Sequence, residues 1–269
     1  MDMIAFIGGG NMASAVIGGL VKSGHDADSI VVVDPGDVQR DKLHAEFGVR
    51  TLAAADASLA HAAMLVWAVK PQLFNAAAAP CAAFVGKALH LSVMAGIRSD
   101  AIARATGAER VVRTMPNTPA LVGQGMTGLF ARAAAGAADR AQVEAVLAPT
   151  GRLMWVMRED DLDAVTAISG SGPAYVFYFV EAMMEAAVQM GLSAEQGKTL
   201  ALATFAGATS LAQASPDAPS LLRERVTSKG GTTYAALTAL EASGVKTAFV
   251  TAMKAAQQRA RELGDEFGR

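Results

Sequence analysis

A short apolar run, "MIAFI" at 3–7, leads straight into Gly8-Gly9-Gly10-Asn11-Met12-Ala13, and no other stretch restricts the fold so tightly. A strand that ends in G-x-G-x-x-A, with a helix following at about 12–23, is the phosphate-binding turn of a βαβ unit. The first glycine permits the tight turn, the next lets backbone approach a pyrophosphate, and a small residue at Ala13 lets helix and strand pack closely. The helix N-terminus then faces the phosphates with free N–H groups and the positive end of its dipole. The next apolar run, "SIVVVD" at 29–34, closes on Asp34, where an acidic side chain bonds the adenosine ribose 2′-hydroxyl and favours NADH. Asp34-Pro35-Gly36 reads equally as a plain turn, and Arg40 is near enough in sequence to serve a 2′-phosphate instead, so NADPH and NADH both stay open.

The pattern continues as a doubly wound α/β sheet. Runs at 64–69, 88–93, 110–115, 125–130 and 152–157 read as further strands, bounded by Gly, Pro or Asp and separated by alanine-rich helical stretches. The early strands are apolar throughout, as strands covered on both faces are. Ligands in such sheets sit beyond the carboxyl ends of the strands. Three strand-end segments qualify: "AVKPQ" with Ala68, Val69, Lys70 and Pro71, "MAGI" with Met94, Ala95 and Gly96, and "MPNTPA", where two prolines flank Asn117.

Past residue 160 strands give way to alanine- and methionine-rich helices, which predicts two domains, 1–160 for the dinucleotide and 161–269 for an all-helical half. The run from Val165 to Met190 is almost wholly apolar or small and predicts a helix buried all round, with a second subunit as its cover. "QASPDAPS" at 213–220 reads as a loop. A net charge of -2 and a charged fraction of 18% argue against a nucleic-acid footprint. One cysteine, Cys81, excludes an internal disulfide and a cysteine metal cage, and His25, His44, His61 and His90 lack ligand spacing, so they read as surface or strand-end residues without a metal. No apolar run reaches about 18 residues and no leader is legible, which predicts a cytoplasmic protein without a membrane span.

A second glycine pair lies in "VTSKGGTTYAALTALE" at 226–241, just before a short amphipathic run. Backbone N–H groups at Gly230, Gly231 and Thr232 at a helix start form a nest for a carboxylate, although threonines capping a helix would look the same. No Lys, Arg or His occurs between Arg158 and Lys198, so the lysine acid of a β-hydroxyacid dehydrogenase is missing. Reduction of an imine fits that absence, because a protonated C=N accepts hydride without a strong protein acid. A carboxylate-bearing cyclic imine then needs an anion cradle and one hydroxyl, from Thr233 or Thr232, at its nitrogen. A β-hydroxyacid-type dehydrogenase and a non-catalytic nucleotide-sensing protein remain the alternatives.

"FIGGGNMA", "AVKPQ", "MPNTPA", "SGSGPAYVF" and "VTSKGGTTYAAL", in this order and spacing, resemble the pyrroline-5-carboxylate reductases over nearly the whole chain. The resemblance implies NAD(P)H-dependent reduction of L-1-pyrroline-5-carboxylate to L-proline, the last step of proline biosynthesis. It also implies a Rossmann half and a helical half that interlocks in a homodimer, with dimers often assembling into a decamer. The cofactor is expected on residues matching Gly8, Gly9, Gly10, Asn11, Met12 and Ala13, on Ala68 to Pro71, and around Met94 to Gly96. The substrate is expected against the loop matching Ser228, Lys229, Gly230, Gly231, Thr232 and Thr233, with Thr233 at the imine nitrogen. Residues matching Ser171, Gly172 and Pro173 are expected close to nicotinamide and substrate. Many members have a hydroxyl or basic residue at Asp34 and an asparagine within the segment written here "AAADAS" at 53–58, so the adenosine contacts differ.

Overall fold

The computed structural model describes residues 2–267. Eight strands form one sheet: β1 Met3–Ile7, β2 Ile30–Val33, β3 Arg50–Leu52, β4 Ala62–Trp67, β5 Leu89–Ser92, β6 Val111–Met115, β7 Gly125–Ala131 and β8 Gly151–Trp155. The helices are α1 Asn11–Lys22, α2 Asp37–Phe47, α3 Phe74–Val85, α4 Ser99–Thr106, α5 Ala137–Leu147, α6 Asp161–Val165, α7 Gly172–Gln189, α8 Ala194–Ala214, α9 Pro219–Arg225, α10 Thr232–Ala242 and α11 Val245–Phe267. The strand order is β3-β2-β1-β4-β5-β6-β7-β8. β6 and β7 pair antiparallel, and the other neighbours are parallel. Connections from β1 run to β2 on one side and the sheet resumes at β4 on the other, so the topological switch lies between β1 and β4.

Strand alternation divides the core between the two faces. Ile4, Phe6, Met64 and Val66 pack on one face with Val16, Ile17 and Leu20 of α1 and Val143 and Leu147 of α5. Ala5, Ile7, Leu65 and Trp67 pack on the other with Phe74, Ala78 and Val85 of α3 and Ile102 of α4. Both sets are buried, which is why these strands lack the polar alternation of a half-exposed sheet. Strand β3 escapes the sequence pattern because it is a three-residue edge strand, "RTL", with an exposed Arg50.

The described residues up to Pro173, with those from Ala255 onward, form one compact unit, and Ala174–Lys254 form a second. The texture change near residue 160 marks where strands stop, whereas packing continues past it. A Cβ on Gly128 of β7 would meet Val165 Cγ1 at 2.8 Å and Leu162 Cδ2 at 3.2 Å, so α6 lies directly on the sheet. Leu263 in the last part of α11 closes over Gly96 in the same way.

The helix expected to be buried all round, with a second subunit as its cover, is not continuous. It is broken by a π-helical turn at Thr166–Gly170, and within this chain α7 buries only Val180 and Ala187. Phe177, Tyr178 and the following Met190 are 58%, 69% and 75% exposed. In the second unit, Phe249 of α11 packs against Tyr175 and Phe179 of α7 at ring-centroid distances of 5.9 and 5.8 Å. The segment 213–220 is a loop only in its middle, since α8 runs to Ala214 and α9 starts at Pro219. Among the described residues no helix is long and apolar enough to cross a membrane.

His90 is the exception among the histidines expected at surfaces or strand ends: it is fully buried within β5. The Trp67 indole N–H donates to its Nδ1 at 3.0 Å, and its Nε2 lies 2.9 Å from the Val85 carbonyl. Indole only donates and a carbonyl only accepts, so the ring is held neutral with its proton on Nε2. Burial pushes its pKa below the ordinary value of 6.5, with the Val85 bond opposing. A depressed folded value places this residue's stabilisation fully above the unfolded value of 6.5 and removes it as pH falls through the folded value. The urea midpoint of the wild-type chain is therefore expected to fall more steeply between about pH 7 and pH 5 than that of a His90→Gln variant. Parallel slopes for the two proteins would rule the effect out.

Candidate functional site

The turn after β1 is built by three glycines with different roles. Gly8 has φ +95°, and a Cβ there would lie 2.7 Å from the Ala68 carbonyl oxygen at the end of β4, so the two strand ends approach too closely for any side chain. A Cβ on Gly9 would strike Leu43 of α2 at 2.6 Å. Gly10 differs: its φ of -64° suits any residue, and nothing lies within 4 Å of where its Cβ would be. It is also the N-cap of α1, where no side chain takes the first N–H groups. Ala13 is buried, which is the close helix–strand packing that a small residue permits, while Asn11 is exposed and Met12 half-buried.

Asp34 anchors this turn. Its Oδ2 accepts the Gly9 N–H at 2.8 Å and its Oδ1 the Gly36 N–H at 2.9 Å. Arg40 Nη1 donates to the Asp34 carbonyl at 2.8 Å. Gly10, Asp34, Ala54, Ala68, Lys70 and Cys81 line a cavity of about 540 Å³ at the carboxyl edge of β1, β2 and β4. Val69 lines it as well, and Pro71 opens the 3-10 turn that follows. Burial pushes the Cys81 thiol up to about 11, so it stays protonated and serves as packing. The open Gly10 Cβ direction, the uncapped α1 and the acidic side chain at the end of β2 are the features a dinucleotide needs. At the end of β5, Met94 and Gly96 are buried and only Ala95 is half-exposed, so a ligand there would meet mostly backbone.

Asn117 sits beyond the end of β6 and is tied to protein on both sides of its amide. Its Oδ1 accepts the Met126 N–H of β7 at 2.9 Å, and its Nδ2 donates to the carbonyl and the hydroxyl of Ser169, each at 3.2 Å. Ser169 lies in the π-helical turn that leads to Ser171, Gly172 and Pro173, all half-buried. The chain entering this turn is fixed by charge: Glu159 accepts from the Ser99 N–H at 2.7 Å, the Ser99 hydroxyl at 2.6 Å and Arg113 Nη1 at 3.2 Å. Arg98 pairs with Asp160 at 2.8 Å and with buried Asp163 at 3.1 Å. Burial lowers the pKa of Arg113 and Glu159 opposes that shift.

In the second unit, Ser228 to Gly231 form a turn closed by the Gly231 N–H on the Ser228 carbonyl at 3.0 Å. Gly230 has φ +76° and among the described residues no non-glycine residue has positive φ, so the turn has the backbone of a type II turn with glycine at its third position. Gly231 is then the N-cap of α10, without a side-chain cap. The geometry refines the expected nest: the Gly231 N–H is engaged within the turn, while the first N–H groups of α10, from Thr232 onward, have no partner inside the helix. The helix-cap alternative is not realised, for neither threonine hydroxyl caps α10. By contrast, Ser193 caps α8 and accepts the Gln196 N–H at 3.1 Å. Lys229 is exposed and Thr233 half-buried.

Sequence reasoning missed the Gly9–Asp34 bond, the Ser99–Glu159–Arg113 cluster and Ser169. "PNTP" signalled a rigid asparagine, but nothing local points to a partner 52 residues away. Among the described residues no group of three or more His, Cys, Asp or Glu is arranged to hold a metal ion.

Gly10→Val is expected to lower Tm by only about 2–4 °C, from a weaker helix cap, while reducing NAD(P)H affinity by at least about tenfold. Fluorescence titration of NAD(P)H checks this, and unaltered affinity would remove the cavity from consideration. Asp34→Ser is expected to raise affinity for NADPH relative to NADH by about tenfold, because a carboxylate at the ribose repels a 2′-phosphate. An unmoved ratio in paired titrations would show that discrimination lies elsewhere.

Residues 159–263 match the family model described as pyrroline-5-carboxylate reductase dimerisation, and residues 3–96 match that described as NADP oxidoreductase coenzyme F420-dependent. The chain is 42% identical over 267 residues to a pyrroline-5-carboxylate reductase of Pseudomonas aeruginosa, covering 98% of each protein. It superimposes with a TM-score of 0.91 on the structure of a pyrroline-5-carboxylate reductase from Coxiella burnetii, at 35% identity and over 97% of this chain and 98% of that one. The Plasmodium falciparum pyrroline carboxylate reductase structure, solved with NADP bound, gives a TM-score of 0.87 at 27% identity, over 97% and 98% of the chains. With that identity sustained along its whole length, and with both glycine turns in place, the chain belongs to the pyrroline-5-carboxylate reductase family, NAD(P)H-dependent oxidoreductases that reduce 1-pyrroline-5-carboxylate to proline.

Proposed function

We propose that two glycine-led helix starts, α1 and α10, divide the binding work of this reduction. Each has glycine as its N-cap and lacks a side-chain cap, and that shared feature carries the reading. The N–H groups following Gly10, at Asn11, Met12 and Ala13, hold the pyrophosphate of the nucleotide. Asp34 and the segments Ala68 to Pro71 and Met94 to Gly96 complete the nucleotide site. The backbone at Gly230 and Thr232 holds the substrate carboxylate, with Ser228, Lys229 and Gly231 shaping the turn. Ser171, Gly172 and Pro173 lie against nicotinamide and substrate. The functional division follows 1–160 for nucleotide and 161–269 for substrate and dimerisation, supported by a dimerisation-model match that begins at residue 159.

Bound NAD(P)H supplies the hydride that reduces the imine carbon of the ring, the one on the far side of nitrogen from the carboxylate-bearing carbon. The imine is protonated before attack, so the C=N bond becomes a C–N single bond, and the nitrogen leaves as a secondary amine that takes a proton from water. The chain has no Lys, Arg or His between Arg158 and Lys198, in keeping with a step that needs no strong protein acid. The hydroxyl of Thr233 orients the imine nitrogen. The exposed apolar side chains of α7 support a homodimer that covers them, and the family resemblance extends that to a decamer in the cytoplasm.

Oxidation of NADH or NADPH, followed by absorbance on addition of pyrroline-5-carboxylate, is expected to proceed with the purified chain. Thr233→Ala should lower kcat/KM for the imine by about tenfold and leave NAD(P)H affinity within about twofold. An unchanged kcat/KM would withdraw Thr233 from the reaction.

A further inference from the structure

Asn117 was expected to face the cofactor, yet its amide is committed elsewhere. An α-helix would satisfy the Ser169 carbonyl with the N–H of residue 173, and that residue is Pro173, which has none. The turn responds by widening: Ser171 N–H reaches back five residues to the Thr166 carbonyl at 2.8 Å, the π-type bond. In place of the N–H that Pro173 lacks, Asn117 Nδ2 donates to the Ser169 carbonyl and also to the Ser169 hydroxyl, each at 3.2 Å. The other end of the amide is pinned by the Met126 N–H at 2.9 Å, so the side chain cannot turn away without losing a bond. The turn packs against the end of β6, where a Cβ on Gly170 would lie 2.5 Å from Met115 Cε. Immediately after it the chain opens: nothing lies within 4 Å of where a Cβ on Gly172 would be.

The geometry assigns Asn117 as a positioning residue that fixes the Ser169–Gly170 turn, and through it the Ser171-Gly172-Pro173 segment, for the substrate reaction. This rests on the reading above that Ser171 to Pro173 meet nicotinamide and substrate. As a positioning residue Asn117 acts through the Ser169 carbonyl, to which Pro173 has no N–H to give.

Two variants test the assignment. Asn117→Asp keeps an acceptor for the Met126 N–H but loses the donor to Ser169, and Ser169→Ala removes only the hydroxyl contact. Expected are kcat reductions of at least about tenfold for N117D and about threefold for S169A, with NAD(P)H affinity within about twofold of wild type. Protonation restores a donor to the introduced carboxyl, so the deficit of N117D should shrink as pH is lowered toward 5, a recovery that a merely structural defect would not show. Wild-type kcat in N117D overturns the proposal, as does a loss of kcat and of cofactor-binding stoichiometry in equal proportion. If N117D does not fold, S169A decides: full activity there overturns the proposal and a selective fall in kcat supports it. The underlying reading fails separately, in one of two ways: the wild-type protein is inert toward pyrroline-5-carboxylate, or Gly172→Val, which the fold has room for, keeps full activity.

Discussion

At Gly8 the ends of β1 and β4 come so close that a single Cβ would overlap the Ala68 carbonyl, and the cavity at the carboxyl edge of the sheet takes its place from that contact. Two parallel strands side by side at the switch in strand order send their following helices, α1 and α3, to opposite faces of the sheet. The gap this opens at the carboxyl edge is the cavity itself, with the α1 N-terminus at one wall and Cys81 of α3 at another. A bulkier residue at Gly8 would push β4 away from β1 and disturb the register that joins Ile7 to Trp67.

Apolar packing alone does not locate the chain beyond the sheet. The segment from Glu159 to Asp163 is held by Arg98, Ser99 and Arg113, and Arg113 is 2% exposed. Buried ion pairs add little net stability, because desolvation offsets most of their attraction, but their geometry is demanding. Here that demand fixes where α6 begins, just ahead of the π-helical turn whose Ser169 bonds Asn117.

The sequence made the nucleotide half legible because its signals are local. Strand periodicity, a glycine turn and an acid at a strand end all fall within a few residues of one another, and seven of eight strands follow from such runs. β3 was lost because three residues carry no period. The glycine pair at Gly230 and Gly231 was visible for the same local reason, although which N–H groups remain open depended on the Ser228 turn. Long-range polar links were not legible: Asn117 with Ser169, Ser99 with Glu159, and Trp67 with the buried His90 join residues whose own neighbourhoods give no sign of the partner. Composition marked the helix at α7 as covered, but a stripe that is apolar all round carries no sign of the π-helical break at Thr166–Gly170.

The two backbone bonds at Asp34 have a consequence for how a ribose is met. An ionised carboxylate offers about four acceptor sites, and the Gly9 and Gly36 N–H groups fill one on each oxygen. One lone pair per oxygen is left, a count that matches the two vicinal hydroxyls of an unphosphorylated ribose. In the nucleotide site proposed above, the same carboxylate thus shapes both the turn beneath the pyrophosphate and the seat of the sugar, so a single side chain sets the spacing between those two parts of the ligand.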